Sequence, residues 1–188
     1  CKAFKKRFNT DVSQAYGIIE IGLPILNYTK STEHPEAVGY AQPGYTVDIL
    51  DENNNPLPNG EIGNLGIKGP GMFDAYLLPP TPSKDVLQNG YFLTADFASK
   101  TEDGLIKVEG RSKSVINISG LKVFPEEVEA VLEMIPEIKQ ARISSSPHPL
   151  LGQIIEAEVV LTDGAKIDVE DVLTWCKKRL SAFKAPQR

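Results

Sequence analysis

The sequence predicts an α+β fold, in which a distorted antiparallel β-barrel is followed by a small α+β domain with a short sheet and flanking helices. Two observations carry this prediction. Residues 35–82 hold eight of the fourteen prolines and seven of the fifteen glycines, a density of helix breakers that leaves room only for short strands and turns. After Arg111 the apolar residues change to helical spacing. We therefore expect one domain over residues 1–111 and a second, small α+β domain over residues 112–188.

Short apolar segments separated by turn residues define the barrel. Residues 46–50 and 63–68 have the composition of strands, and residues 51–56 form a turn because Asn and Asp tolerate left-handed φ angles. Two further strands are expected at 91–98 and 105–109, joined by a tight hairpin. Closely spaced short strands of this kind are typical of a small barrel or sandwich.

The second domain is predicted to contain two helices and two strands. Pro125 can open a helix that runs to about residue 135, with glutamates in the first turn where the helix dipole favours them. Asp168 is the expected N-cap of a second helix over residues 169–183. Strands are expected at 141–145 and 154–161. The second helix should bury a stripe of apolar residues: Val169, Val172, Leu173, Cys176, Leu180 and Phe183.

The composition excludes several classes of protein. A net charge of −5 and a pI near 5.1 argue against a nucleic-acid-binding module and against a polybasic membrane-surface protein. No apolar run approaches the length of about 20 residues that a membrane-spanning helix needs. The two cysteines, Cys1 and Cys176, form no disulfide framework and favour a cytoplasmic location. Because the chain opens on Cys1 without an initiator methionine, we expect it to be a piece of a longer protein.

Four stretches of sequence resemble, in the right order, the motifs of the acyl-adenylate-forming enzymes, which include the acyl-CoA synthetases, peptide-synthetase adenylation domains and luciferases. Residues 110–129 resemble the hinge motif of that family, and residues 16–20 resemble its Tyr-Gly-x-Thr-Glu motif. Residues 60–77 resemble its barrel motif, and residues 91–96 resemble its Tyr-x-Thr-Gly-Asp motif. Residues 147–152 lie where the family has a Pro-Asp-x-x-x-Gly turn. The resemblance therefore covers nearly the whole chain.

The resemblance implies a ligase that works in two steps. Such enzymes join a carboxylic acid to ATP, release pyrophosphate, and pass the acyl group from AMP to the thiol of coenzyme A or of a carrier protein. ATP, Mg²⁺ and CoA are the implied cofactors, and a small carboxylic acid is the implied substrate. Between the two steps the C-terminal domain is expected to turn about a hinge.

The resemblance also implies roles for individual residues in binding ATP or AMP. Asp96 should accept hydrogen bonds from both ribose hydroxyls, since a carboxylate has room for two donors. Arg111 should hold the ribose or the phosphate. Tyr16, next to Gly17, should lie beside the adenine, and Glu20 should help to hold Mg²⁺.

Further roles are implied for the second domain. Lys113 occupies the hinge position, and Ser119 and Gly120 lie in the turn that would line the tunnel for the pantetheine arm of CoA, where bare backbone permits close approach. No catalytic residue is expected within the chain, because the adenylation lysine of the family would lie beyond Arg188. Lys184 lacks the expected sequence context for that role.

Three positions depart from the family pattern. Ile19 replaces a threonine, so a hydroxyl group expected near the phosphates is missing. Ala95 replaces a glycine, a change that fits the structure if φ is negative there. His148 replaces an aspartate in a turn and is expected at the surface. His34 and His148 lack partners at the spacing of metal ligands, which argues against a metal site built on histidines.

We therefore interpret the chain as the C-terminal part of an acyl-CoA synthetase of the fatty-acid or related type, inactive as a fragment. An adenylation domain that loads a carrier protein is an alternative within the same enzyme class. A non-catalytic nucleotide-binding or interaction module of the same fold is the alternative from a different class, and Ile19 and Ala95 are compatible with it.

Overall fold

The computed structural model describes residues 1–28, 31–150 and 152–188 of the chain, which divides into two compact units at residues 109 and 110. The expected boundary, after residue 111, lies two residues further along. The α+β class is confirmed, since short strands make up most of the regular structure. Within the described residues, no helix has the length and apolar character needed to cross a membrane.

The first unit begins with a short helix and a three-stranded antiparallel sheet. The helix has no buried residue, and its exposed side chains include Phe4 and Phe8. In the sheet, the middle strand pairs with both of the others. These elements are α1 (Lys2–Phe8), β1 (Gln14–Ile18), β2 (Gly22–Asn27) and β3 (Tyr40–Ala41).

A four-stranded sheet forms the centre of the first unit, in the region where the barrel was predicted. Its strands are β4 (Thr46–Leu50), β5 (Gly63–Lys68), β8 (Phe92–Lys100) and β9 (Ile106–Arg111), in the order β4-β5-β8-β9. Between β5 and β8 lie a small hairpin of β6 (Ala75–Leu77) and β7 (Pro80–Pro82), and the single-turn helix α2 (Ser83–Val86). All four strands of the predicted barrel are therefore present, each within a few residues of its expected bounds.

The hydrophobic core of the first unit follows from the alternation along these strands. Val47 and Ile49 on β4 are buried, as are Leu65 and Ile67 on β5, because side chains two residues apart point to the same face of a sheet. They pack with Ile25 from the three-stranded sheet in one cluster. The cluster holds together the strands that carry the candidate site.

The second unit contains a small hairpin, two helices and one long two-stranded ladder. The core consists of residues from all of these elements, with Val123, Val128, Leu132, Ile155 and Cys176 fully buried. The elements are β10 (Ile116–Ile118), β11 (Leu121–Val123), α3 (Pro125–Leu132), β12 (Ile138–His148), β13 (Gly152–Leu161), α4 (Val169–Lys177) and a 3-10 turn (Ala182–Lys184).

The second helix is shorter than the sequence predicted. Asp168 caps α4 as expected, with its carboxylate accepting a hydrogen bond from the amide of Glu170. The helix ends at Lys177 instead of residue 183, and Ser181 adopts an extended conformation. Leu180, before this residue, and Ala185, after it, both belong to the buried core of the unit. Val169, predicted to be buried, is 67% exposed.

Candidate functional site

Two of the predicted nucleotide-binding residues are in direct contact. The hydroxyl of Tyr16 on β1 donates a hydrogen bond to Oδ2 of Asp96 on β8. Asp96 is the buried charged residue of the described part of the chain, at 8% exposure, so its carboxylate needs hydrogen-bond donors to remain stable there. The contact links the three-stranded sheet to the four-stranded sheet and fixes the orientation of the carboxylate.

A bulge in β8 presents Asp96. Asn64 on β5 pairs with Phe97, whereas Gly66 pairs with Leu93, so β8 has two more residues than β5 between these pairs. Bulges often redirect a side chain beside a functional site. The amide of Asp96 also donates to Oγ1 of Thr94 at 3.2 Å, which closes the bulge locally.

Ala95, in the middle of this bulge, has a φ angle of 61°. The condition under which alanine would fit here without strain, a negative φ, is therefore not met. A side chain in the left-handed region contacts the backbone unfavourably, which is why glycine is preferred there. The bulge retains the shape that the glycine of the family motif would allow, at a cost in strain.

Glu20 lies in the turn between β1 and β2, and two hydrogen bonds attach it to the segment that leads into β6. Its carboxylate Oε1 accepts a hydrogen bond from the hydroxyl of Tyr76 at 2.8 Å, and its backbone oxygen accepts one from the amide of Phe73, also at 2.8 Å. The carboxylate raises the pKa of the Tyr76 phenol above its usual value. Tyr76 lies within the motif of residues 60–77, but the sequence predicted no role for it.

The donor set around Glu20 fits Mg²⁺ only if other ligands complete the coordination. Among the residues that the structure describes, no three His, Cys, Asp or Glu side chains lie close enough together to hold a metal. Magnesium usually keeps several waters and binds through one or two carboxylates together with substrate phosphates. Glu20 can therefore serve as a protein ligand to a metal that arrives with a nucleotide.

Gly17 and Ile19 differ in their structural roles. They lie on either side of residue 18, at the end of β1. A Cβ atom at Gly17 would lie 2.6 Å from the backbone oxygen of Gly22, so glycine is needed where β1 shifts its register against β2. Ile19 is completely exposed. The backbone geometry explains Gly17 without a ligand, and its predicted part in binding the nucleotide stays a prediction.

Arg111, the last residue of β9, and Lys113 lie just after the boundary between the two units, and both are exposed. The backbone oxygen of Arg111 accepts hydrogen bonds from the amide of Ser114 at 3.1 Å and from its hydroxyl at 3.0 Å, which forms a tight turn around Lys113. Lys113 lines a polar cleft of about 450 Å³ together with residues of α3 and β12. Their roles as phosphate ligand and hinge stay predictions.

Ser119 and Gly120 form the two-residue turn between β10 and β11. Their φ angles are 50° and 87°, as the turn type preferred in tight β-hairpins requires. The side chain of Asn117 accepts a hydrogen bond from the amide of Gly120 at 2.9 Å, and both turn residues are exposed. An exposed backbone of this kind can approach a ligand closely.

The remaining polar residues named from the sequence have structural partners. His34 pairs with Glu36 at 3.1 Å. His148 is partly exposed at the last position of β12, directly before the turn, and its Nδ1 accepts a hydrogen bond from the amide of Leu150 at 3.3 Å. Leu151 in the same motif lies outside the described residues. Lys184 pairs with Glu127 at 2.6 Å, and its exclusion as the adenylation lysine stays a prediction.

Both ends of the chain match models of AMP-binding proteins. A family model described as AMP-binding enzyme matches residues 1–77, and one described as AMP-binding enzyme C-terminal domain matches residues 127–188. Together with the acyl–CoA ligase relatives below, these matches show that the chain belongs to the acyl-adenylate-forming enzyme family. The family inferred from the four motifs is therefore confirmed.

Individual relatives agree with this assignment. A putative acyl–CoA ligase of Bacillus subtilis is 35% identical over 184 residues, covering 90% of this chain and 37% of that protein. The oxalate–CoA ligase of Saccharomyces cerevisiae is 32% identical over 188 residues, covering 98% of this chain and 34% of that protein. The crystal structure of ATP-bound MatB from Rhodopseudomonas palustris is 30% identical, with a TM-score of 0.87, over 99% of this chain and 37% of that one. The chain thus spans about a third of the length of the curated relatives it matches.

Proposed function

We propose that this chain is part of an ATP-dependent, AMP-forming ligase that joins a carboxylic acid to the thiol of coenzyme A. In the first step the carboxylate attacks the α-phosphorus of ATP, and pyrophosphate leaves. In the second step the thiol attacks the acyl carbon and AMP leaves, with loss of the thiol proton. The observation that carries this proposal is the contact between Tyr16 and Asp96, which joins two residues of separate nucleotide-binding motifs.

The residues of this chain would bind and orient the nucleotide. Asp96 accepts hydrogen bonds from the ribose hydroxyls. Tyr16 lies beside the adenine, and its hydroxyl donates a hydrogen bond that orients the carboxylate of Asp96. Mg²⁺ offsets the charge of the triphosphate when it is bound with ATP, and Glu20 is the carboxylate that would contact it. We also propose that Arg111 binds the ribose or the phosphate. Gly17 would belong to the segment that binds the adenine.

The second unit would serve the transfer to the thiol. We place the hinge at Lys113 and the approach of the pantetheine arm at Ser119 and Gly120, supported by the exposed backbone of that turn. The 188-residue chain by itself would form no acyl-adenylate. Its sequence contains no Ser/Thr/Gly-rich phosphate loop, and the ammonium of Lys184 is already paired with Glu127. A cytoplasmic location is part of the proposal, supported by two cysteines that form no disulfide.

The acyl substrate is the finer part of the proposal. A fatty-acid-type substrate is our first candidate on the basis of the sequence resemblance, and the yeast relative named for oxalate makes short dicarboxylates the main competitor. An adenylation domain that loads a carrier protein would share the same first step. A non-catalytic module is favoured only by the replacements at Ile19 and Ala95.

AMP formation from a panel of carboxylic acids tests the function. The full-length protein that contains this chain is assayed with fatty, aromatic and dicarboxylic acids, with and without CoA. We expect AMP release that depends on one class of acid and rises with CoA. Changing Asp96 to Ala should raise the KM for ATP by about tenfold or more, because hydrogen bonds to a charged group contribute about 1.5–3 kcal/mol. Absence of acid-dependent AMP release with every acid would reject the ligase and leave the non-catalytic module.

A further inference from the structure

We propose that Tyr76 is a positioning residue that holds the carboxylate of Glu20 in the orientation needed to meet a metal–triphosphate. The inference rests on the proposed function, which makes Glu20 the metal ligand. Its geometric basis is the hydrogen bond of 2.8 Å from the Tyr76 hydroxyl to Oε1 of Glu20, across 56 residues of sequence. Tyr76 itself contacts neither reactant in this proposal and acts through Glu20.

The segment that carries Tyr76 is anchored to the core of the first unit. The amide of Phe73 donates a hydrogen bond to the backbone oxygen of Glu20, so the turn of Glu20 is held by main chain and side chain at once. The ring of Phe73 packs at 4.7 Å against that of Tyr76 and at 5.8 Å, edge to face, against that of Phe92. Phe92 is 8% exposed and belongs to the core cluster. The phenol of Tyr76 therefore has a fixed position from which to orient Glu20.

A phenol has the right chemistry for this task. A neutral hydroxyl orients a carboxylate through one oxygen without cancelling its charge, whereas an ammonium or guanidinium would form an ion pair and compete with a cation. Of the two carboxylate oxygens of Glu20, Oε1 accepts the hydrogen bond from Tyr76. The other oxygen, Oε2, can therefore contact a hard cation. Tyr76 is 38% exposed, so a ligand in solvent can reach the pair.

The residue before Glu20 makes the orientation of the Glu20 carboxylate more dependent on Tyr76. This residue, Ile19, is completely exposed and has no polar group in its side chain. The hydroxyl of the family threonine is therefore missing beside Glu20, and Tyr76 supplies a hydroxyl that donates to the Glu20 carboxylate.

The test combines Tyr76→Phe and Glu20→Gln, singly and together, in the full-length protein. Tyr40→Phe is the matched control, because its hydroxyl donates at 3.0 Å to another exposed carboxylate, that of Asp103. Binding of Mn²⁺·ATP is measured by water-proton relaxation, and the KM for Mg·ATP and kcat are measured by ATP–pyrophosphate exchange. We expect Tyr76→Phe to weaken Mn²⁺·ATP binding and to raise the KM for Mg·ATP by about tenfold. This factor corresponds to the free energy of one hydrogen bond to a charged group. The double variant should bind no more weakly than Glu20→Gln alone, and Tyr40→Phe should match the wild type.

Two results would overturn the proposal. One is Mn²⁺·ATP binding by Tyr76→Phe within twofold of the wild type; the other is a double variant whose loss is the product of the two single losses. If the full-length protein shows no ATP–pyrophosphate exchange with any acid, the proposed ligase activity is rejected. The measurements of Mn²⁺·ATP binding then still test the role of Tyr76. Absence of Mn²⁺·ATP binding in the wild type would reject both. Equal thermal unfolding of the Tyr76→Phe and Tyr40→Phe variants excludes a folding defect as the cause.

Discussion

The hydroxyl of Tyr16 donates a hydrogen bond to Oδ2 of Asp96 and so joins β1 to β8 across 80 residues of sequence. Neither motif by itself contains this information, because each describes only its own strand. The contact joins the two motifs that contain Tyr16 and Asp96, for which we propose binding of adenine and ribose, into a single structural unit.

Removing the Tyr16 hydroxyl should destabilise the chain through Asp96. The Tyr16→Phe variant leaves a buried carboxylate without one of its donors, which costs about 1–3 kcal/mol of unfolding free energy. Urea unfolding of Tyr16→Phe, Asp96→Asn and the double variant measures this. The double variant should lose at least about 1 kcal/mol less than the two single losses added together. Strict additivity would mean that the two side chains act independently.

Replacing Ala95 by glycine should stabilise the chain. Its φ of 61° lies in the left-handed region, where an alanine costs about 1 kcal/mol more than glycine. Urea unfolding of Ala95→Gly should therefore give an increase in unfolding free energy of about that size. Ala75→Gly, at an exposed strand position without a positive φ, is the matched control and should lose about 0.5–1 kcal/mol. A loss at both positions would contradict the strain at Ala95.

Acid should destabilise the four-stranded sheet through Asp48. Burial opposes ionisation of this carboxyl, but hydrogen bonds from Tyr91 at 2.6 Å and Lys100 at 2.9 Å outweigh burial and hold its pKa below the usual value of 3.8. A carboxyl whose pKa is lowered by folding stabilises the native state above its unfolded pKa. That stability is lost as the pH falls from about 4 through the lowered folded pKa.

The variant Lys100→Met tests this dependence. It removes one of the groups that lower the pKa of Asp48, so the unfolding free energy should fall less steeply below pH 4 than in the wild type. Lys139→Met, at an exposed position of β12, is the control for the change in net charge and should keep the wild-type slope. Equal slopes in all three proteins would show that Asp48 contributes little to acid unfolding.

The two cysteines should differ sharply in reactivity. Cys1 is exposed, whereas Cys176 is completely buried and burial raises the pKa of its thiol. Thiols react as thiolates, so a buried thiol with a raised pKa is protected. Ellman's reagent should titrate one thiol per native chain and two in denaturant. The Cys1→Ser variant should give none in the native state, and rapid labelling of that variant would contradict the burial of Cys176.

Restoring a hydroxyl at residue 19 should improve nucleotide binding in the full-length protein. Ile19 is completely exposed, so Ile19→Thr should change stability by less than about 0.5 kcal/mol. Under the proposed function, the new hydroxyl should lower the KM for ATP by roughly three- to tenfold, the effect of about one neutral hydrogen bond. Ile62→Thr, at another exposed isoleucine, is the control and should leave KM unchanged. An unchanged KM in Ile19→Thr would place residue 19 away from the phosphates.

Local patterns in the sequence predicted much of the fold. Alternation and helix breakers located β4, β5, β8 and β9, and the Pro125 start of α3 was expected from its ring geometry. The end of α4 was not, because the periodic apolar residues continue to Phe183 although the helix ends at Lys177. Apolar periodicity indicates most of the buried positions, with Val169 as an exception, and it cannot distinguish a continued helix from a turn that buries the same residues.

The candidate site was predicted residue by residue but not as contacts. Tyr16, Glu20 and Asp96 were identified from motifs, whereas the hydroxyl partners of both carboxylates depend on pairing between distant strands. Tyr76 lies 56 residues from Glu20, and no local spacing rule reaches that far. The positive φ of Ala95 could not be predicted either, because it results from the bulge in β8, and the sequence alone did not indicate that bulge.

The two hydrophobic clusters have a consequence for protein engineering. One cluster draws its buried residues from positions 21 to 106 and the other from positions 116 to 185, with none shared. A recombination crossover between these positions, near Gly110, would therefore leave both interiors intact. Chimeras that exchange either unit with that of a relative should retain native packing inside each parental half, which makes this junction a natural site for domain grafting.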